Sequence, residues 1–346
     1  MRPSDLLPFL FLGGLLAAAQ PAQASPIYNG GPVMSGPNNV YFIWYGNWGS
    51  NTATAILPQF INNLSGSAYM NILSSYDSTT GAYPAFSNQI GYGGSYFISD
   101  TQNTAIYNGV GTSLNGTPGA TTSNSIAQIV VDALNAGAFA GASTANSIFD
   151  VLTYSTVSVS GFQSTFCGWH ASSNTGGSSL GIQYGLIGDP TSSGCGYQST
   201  SPNNNGSADA MASIIAHETF ETITDPLGNA WWDSLSSTGT GNTGGYENGD
   251  MCNFNFGTSL YTVANGSQAN INLNGTNYKL QQQWVNTGGG VNTLGGNCAM
   301  SLATSSPQPA PEPGIIAIMA TALAGLGLAR RLAPPATNPA RGARTV

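Results

Sequence analysis

Apolar runs alternate along the chain with stretches of Gly, Ser, Thr and Asn, and the spacing within each run separates strands from helices. Residues 40–45 (VYFIWY) form a β-branched and aromatic run bounded by Asn39 and Gly46, which predicts a buried strand. Ile56, Leu57, Phe60, Ile61 and Leu64 then recur at helical spacing, with Pro58 acceptable only near the helix start. A short helical patch is expected at residues 69–73 and a strand at 92–99. Ile126, Ile129, Val130, Ala133 and Leu134 make one face of a further helix, with Ser123 or Asn124 as its cap and Gly137 at its end. Residues 148–159 and 180–187 read as strands, and a helix follows around His217. No internal repeat interrupts this order. Strand, helices, strand, helix, strands and helix predict a single α/β (α+β) domain with a mixed β-sheet and packed helices.

Both ends of the chain carry patterns of a different kind. Residues 1–24 combine Arg2, an apolar run and a small-x-small close at Ala22-Gln23-Ala24, the pattern of a secretory signal peptide. The run is short for a membrane span of about 20 residues. Residues 25–303 are then the globular domain and 304–313 a Pro-rich linker. Pro311-Glu312-Pro313, an apolar run over 315–329 and the pair Arg330-Arg331 follow, and residues 333–346 are a tail without pattern. The segment 314–332 resembles the PEP-CTERM sorting signal of exopolysaccharide-producing Gram-negative bacteria. That resemblance implies an exosortase-type processing enzyme at the membrane. It also implies transient anchoring in the inner membrane, a secreted or cell-surface product, and extracellular polysaccharide within reach.

Between Ser25 and Ala303 there are twelve acidic residues against one basic residue, Lys279, a balance that argues against nucleic acid as a partner. Four cysteines in an exported chain suggest two disulfides, with three connectivities open. The pairing of sequence neighbours, Cys167–Cys195 and Cys252–Cys298, is expected, each contributing about 3–4 kcal/mol by restricting the unfolded chain. No Cys-x-x-Cys spacing supports a thiolate zinc site.

Seven of the fourteen Asp and Glu residues fall between 209 and 250: Asp209, Glu218, Glu221, Asp225, Asp233, Glu247 and Asp250. With almost no cationic side chain available, they are either solvated or gathered round a cation from outside. His217-Glu218-Thr219-Phe220-Glu221 is an HExxE pentad. On a helix His217 and Glu221 share a face, and Glu218 points about 100° round the axis. The pentad resembles the HExxH helix of zincin metallopeptidases, with glutamate in place of the second histidine. The resemblance implies a zincin-like domain, zinc held by His217 and Glu221, and Glu218 as the general base that activates metal-bound water. An anionic ligand in place of histidine makes the water less acidic and the site more welcoming to calcium or manganese. Glu247, on a Gly-rich loop, is the expected third ligand. Asp250 is its rival, Asp225 has a supporting or turn role before Pro226, and His170 is either a ligand, an oxyanion donor or a hydrogen-bonded structural histidine. Trp231, Trp232 and Tyr246 flank the cluster; they either line a substrate cleft or belong to the core, which is the reading favoured.

Tyr28-Asn29-Gly30-Gly31-Pro32, Ile43-Trp44-Tyr45-Gly46, Val157-x-Val159-x-Gly161-Phe162 and Cys167-Gly168-x-His170 resemble the phosphate-induced/EXORDIUM family, whose plant members are secreted cell-wall proteins. A bacterial member of that family is implied, without a biochemical activity to transfer. Two functions follow as expectations: a secreted metallopeptidase-like hydrolase acting on an extended peptide, or a non-enzymatic surface or matrix protein with a structural zinc or calcium.

Overall fold

The aromatic run at residues 40–45 lies at the heart of a sheet. In a computed structural model the described residues are 25–77, 85–98, 113–173, 180–191, 194–233, 246–287 and 296–303. The expected signal peptide, Pro-rich linker, sorting segment and tail lie outside the described residues. In chain order the elements are β1 (Ile27–Tyr28), β2 (Asn38–Tyr45), α1 (Ala53–Leu64), β3 (Ile90–Ile98), β4 (Ser113–Leu114), α2 (Ile126–Asn135) and β5 (Ser147–Thr153). There follow β6 (Ser158–Val159), β7 (Gly168–Ser172), β8 (Gln183–Gly188), α3 (Gly206–Thr224) and β9 (Trp231–Trp232). Three antiparallel pairs come last: β10 (Tyr261–Thr262) with β11 (Gln268–Ala269), β12 (Ile271–Leu273) with β13 (Thr276–Tyr278), and β14 (Gln283–Asn286) with β15 (Gly296–Ala299).

The main sheet runs β3-β2-β5-β8-β7. Its first four strands are parallel, and β7 is an antiparallel edge strand. This is the mixed α/β class that the element order predicts. Strands β5 and β8 are buried along their whole length, which is why they read as continuous apolar runs and not as alternating ones. Phe42, Trp44, Leu57, Phe60, Ile215 and Phe220 belong to one core, between the sheet and helices α1 and α3. Ile43, Tyr45, Ile129, Val130, Val151 and Leu186 form the other, beneath α2. The C-terminal pairs add Leu273, Tyr278, Leu280 and Trp284 to the first core. Helix α3 therefore has packed residues on both its sheet side and its far side.

Several boundaries differ from the expectation, for local reasons. The expected strand at 148–159 is two strands, β5 and the short β6, separated by a turn in which Val157 N–H bonds to the Tyr154 carbonyl. Strand β8 begins at Gln183, not at residue 180. The cap of α2 is Ser125, whose side chain accepts from Gln128 N–H, so neither Ser123 nor Asn124 serves. Helix α1 starts at Ala53 and carries Pro58 inside it, one turn later than the position a proline tolerates best.

All four cysteines are paired, Cys167 with Cys195 and Cys252 with Cys298. The first pins the entry to β7; the second ties the 3-10 turn Asp250–Cys252 to β15. Two disulfides fit an extracellular protein. Among the described residues no helix is long and apolar enough to cross a membrane; the apolar run at 315–329 lies outside them.

Candidate functional site

Helix α3 starts at Asn205, whose side chain accepts from Ala208 N–H. It ends at Asp225, whose N–H bonds to the Glu221 carbonyl and whose carboxylate accepts from Asn229 and Ala230 N–H, both at 2.6 Å. Asp225 is thus a turn residue at the helix end, behind the pentad. In the last turns of α3, His217 and Glu221 meet at the expected i, i+4 spacing, His217 Nε2 to Glu221 Oε1 being 3.1 Å. Strand β7 brings His170 from the sheet edge. Its Nε2 is 3.2 Å from Glu247 Oε2 and 3.8 Å from Glu221 Oε2. Asp250 closes the opposite side, with Oδ1 3.6 Å from His217 Nε2, and its N–H donates to Glu221 Oε1 at 2.9 Å.

Two overlapping sets of ligand-type atoms lie within 4.8 Å of one another: His170, Glu221 and Glu247, and His217, Glu218 and Glu221. Glu221 is common to both. The only Lys or Arg between residues 25 and 303, Lys279, sits 4.8 Å over the Phe256 ring, and the ion pairs among the described residues all involve histidine.

Glycines let the backbones approach. A Cβ at Gly249 would lie 2.8 Å from His217 Cγ, so this backbone packs directly on the imidazole. A Cβ at Gly168 would meet Ile214 at 2.5 Å and Glu218 Oε1 at 3.1 Å, so β7 lies against α3 only because that residue has no side chain. Behind the ring, His217 Nδ1 is 3.0 Å from Gln281 Nε2 and 3.3 Å from its Oε1. The Gln281 amide is itself set by donating to the Gly249 carbonyl and accepting from Phe254 N–H, each at 2.8 Å.

The electrostatics follow from burial and crowding. Burial pushes the Glu218 carboxyl up to about 8; His217 opposes that shift and Glu221 adds to it. Burial also raises Glu247, and the neighbouring Glu221, Asp225 and Asp250 carboxylates raise it further. Asp225 is raised by burial to about 6, against the pull of its backbone N–H donors. Burial alone would lower His217, yet Glu221 and Asp250 hold its imidazolium and raise it well above the ordinary value. Burial alone would raise Asp250, but His217 brings it below the usual carboxylate range.

These groups line a cleft of about 770 Å³ whose other walls include Thr117, Gln163, Phe166, Trp232 and Phe254. Of the seven clustered carboxylates, Glu218, Glu221, Asp225, Glu247 and Asp250 face it. Asp209 instead binds Asn203 near the helix start, and Asp233 does not line the cleft. Trp231 is core; Trp232 lines the cleft and Tyr246 is exposed. Gln281, Gly249 and the buried Asp150 were not marked out by the sequence. Gln281 is one of three consecutive glutamines between Leu280 and Trp284, and such a polar run against apolar neighbours is a weak signal of buried polar contacts.

A family model described as "Phosphate-induced protein 1 conserved region" matches residues 27–285. Protein EXORDIUM-like 3 of Arabidopsis thaliana is 26% identical over 285 residues, 75% of this chain and 79% of the relative. Protein EXORDIUM-like 5 of the same plant is 26% identical over 259 residues, 67% of this chain and 64% of the relative. No solved structure matches.

Proposed function

The chain belongs to the phosphate-induced protein 1 family, and from that premise we propose that it is an exported cell-surface or matrix protein of the EXORDIUM-like kind whose α3 cluster holds one divalent metal ion. The observation that supports this reading is the convergence of His170, His217, Glu221, Glu247 and Asp250, from a strand, a helix and a loop, without a lysine or arginine to balance them. Bonds of about 2.0–2.1 Å at tetrahedral angles place ligand atoms roughly 3.3 Å apart. The separations of 3.1 Å between His217 and Glu221, and of 3.2 and 3.8 Å within the set of His170, Glu247 and Glu221, bracket that value; the two sets share Glu221 and would have to draw together around a single ion. His217, Glu221 and Glu247 are ligands in this reading, and His170 joins them. Two imidazoles favour zinc over calcium, which prefers an all-oxygen shell. For His217 Nε2 to ligate, its Nδ1 must carry the proton, which requires the Gln281 amide, 3.0–3.3 Å away, to present its Oε1 to that N–H in place of its Nε2. Export by the N-terminal 1–24 segment, sorting through 314–332 by an exosortase-type enzyme, and a Gram-negative source complete the proposal, with extracellular polysaccharide as the neighbouring material.

A second reading, a metallopeptidase-like hydrolase, rests on Glu218. Its carboxyl is buried at the cleft wall beside the ligands, where it could take a proton from a water held by the ion. In that case β7, an edge strand on the cleft, would offer its main chain to an extended peptide.

Elemental analysis of the purified protein tests the first reading. About one zinc per chain is expected, and His217→Ala should remove it; a protein purified without metal that takes up none on titration with zinc would defeat the reading. Glu218→Gln divides the two functions. It should keep the metal in both cases, and only a hydrolase loses a measurable peptide cleavage.

A further inference from the structure

The strand register places three residues in one row across the sheet: Asp150 on β5 pairs with Gly185 on β8, and Gly185 pairs with His170 on β7. Directly paired residues share a face. Here it is the α3 face, since Ile148 and Leu152, on the same side of β5 as Asp150, belong to the core beneath α1 and α3. The middle position has no side chain. A Cβ at Gly185 would lie 2.7 Å from Asp150 Oδ1, so the carboxylate already leans over the glycine toward β7. At the other end of the row His170 Nδ1 is buried and makes no hydrogen bond. Asp150 is 2% exposed, and the ionisable neighbour that acts on it is His170. A buried carboxylate and a buried ring nitrogen, each short of a partner, therefore face one another over a glycine.

We infer that Asp150 is a positioning residue for His170, holding the imidazole by its Nδ1–H through one water seated over Gly185, so that Nε2 is presented to the cluster. Two strand spacings separate the ends of the row by about 9.6 Å at the backbone. Side chains leaning inward from both ends leave room for a single water with polar partners on each side. The arrangement fixes the tautomer: with Nδ1 protonated, only Nε2 is free to ligate, and Nε2 is the atom that faces Glu221 and Glu247. It also accounts for a buried aspartate on a strand whose other same-face neighbours are apolar. The glycine at position 185 is part of the device, because any larger residue would push the carboxylate aside.

This inference rests on the metal reading, and its test separates the two. Zinc affinity is measured on the purified protein by competition with a chromophoric chelator, and cobalt(II) is substituted to report ligand geometry by its visible spectrum. Asp150→Asn should lower zinc affinity about 10–100-fold and alter the cobalt spectrum. Gly185→Ala, which keeps the carboxylate but displaces it, should do the same, and it carries the test should Asp150→Asn fail to fold. Both variants matching wild type in affinity and spectrum, with His217→Ala losing zinc, would overturn the role of Asp150 and leave the metal centre standing. A wild-type protein that binds neither zinc nor cobalt would overturn both together.

Discussion

Helices α2 and α3 cover opposite faces of the same sheet, and they treat their polar residues in opposite ways. Helix α2 buries Ile126, Ile129, Val130 and Ala133, while Val131 on its outer side is exposed and Gln128 and Asp132 bond to each other at 2.8 Å, part-buried. It is an ordinary amphipathic helix. Helix α3 is buried from Ala208 to Thr224. A helix enclosed on all sides is expected to be apolar throughout, yet this one encloses His217, Glu218, Thr219, Glu221 and Thr222. Thr222 and Thr224 are satisfied by bonding back to the carbonyls of Glu218 and Phe220. Beyond the His217–Glu221 pair, the ionisable residues find their partners outside the helix, on β7 and on the loop at 247–250. Where polar groups are kept inside against their solvation cost, the violation of pattern is itself the mark of a site.

The sharpest break of this contrast is Glu221→Ala. It takes the shared acceptor from His217 and His170 and should destabilise the fold by about 3–5 kcal/mol in denaturant titration. A loss below about 1 kcal/mol would mean that the α3 cluster is no more costly to disturb than a surface pair.

The next largest effect is on pH dependence without metal. Glu218, at about 8, Asp225, at about 6, and Glu247 all have raised folded-state pKa values. Such groups add stability below their unfolded values of about 4 and lose it as pH rises through the folded ones. His217, also raised, has the same sign. In chelator, the unfolding temperature should therefore fall between pH 5.5 and pH 8, by roughly 5 °C or more for a domain of this size. Added zinc should reverse that slope, because ligands bind deprotonated. Scans at the two pH values with and without chelator decide it, and curves indifferent to both would make the cluster a passive one.

Smaller effects compare the two caps. Ser125→Ala on α2 should cost about 1 kcal/mol. Asn205→Ala on α3 should cost more, because the same side chain also donates to Asn51 and Thr52. Equal losses would show that the extra contacts are idle. Smallest of all, Asp132→Ala on the outer part of α2 should stay within about 0.5 kcal/mol.

The sheet was legible because its central parallel strands leave continuous apolar runs. The HExxE spacing alone was enough to put His217 and Glu221 on one helical face. Less of the rest could be read. Strands such as β11 and β13 are two or three residues long, with no alternation to reveal them, and β5 and β6 merged into one run because the turn between them has no Gly or Pro. The loop carrying Glu247 and Asp250 was legible as a candidate, but not the way it folds over the His217 ring. Gln281, Gly249 and Asp150 earn their places through register and close approach between distant segments, properties that no local pattern encodes. His170 remained open between roles because its position opposite Gly185 depends on which strands pair.

The separation along the chain between His217 and its partners sets an order of events. Gln281 follows His217 by 64 positions, and Asp250 follows Glu221 by 29. A chain delivered N-terminus first presents α3 long before the segment that covers it. Until residues 246–285 arrive, Glu218 and Glu221 are in water, charged and unconfined, and the half-made domain bears none of the cost of burying them. Completing the centre therefore needs the segment at 246–285 as well as α3. A chain that stops short of Glu247 lacks one side of the cluster, and one that stops short of Gln281 lacks the amide that backs the His217 ring.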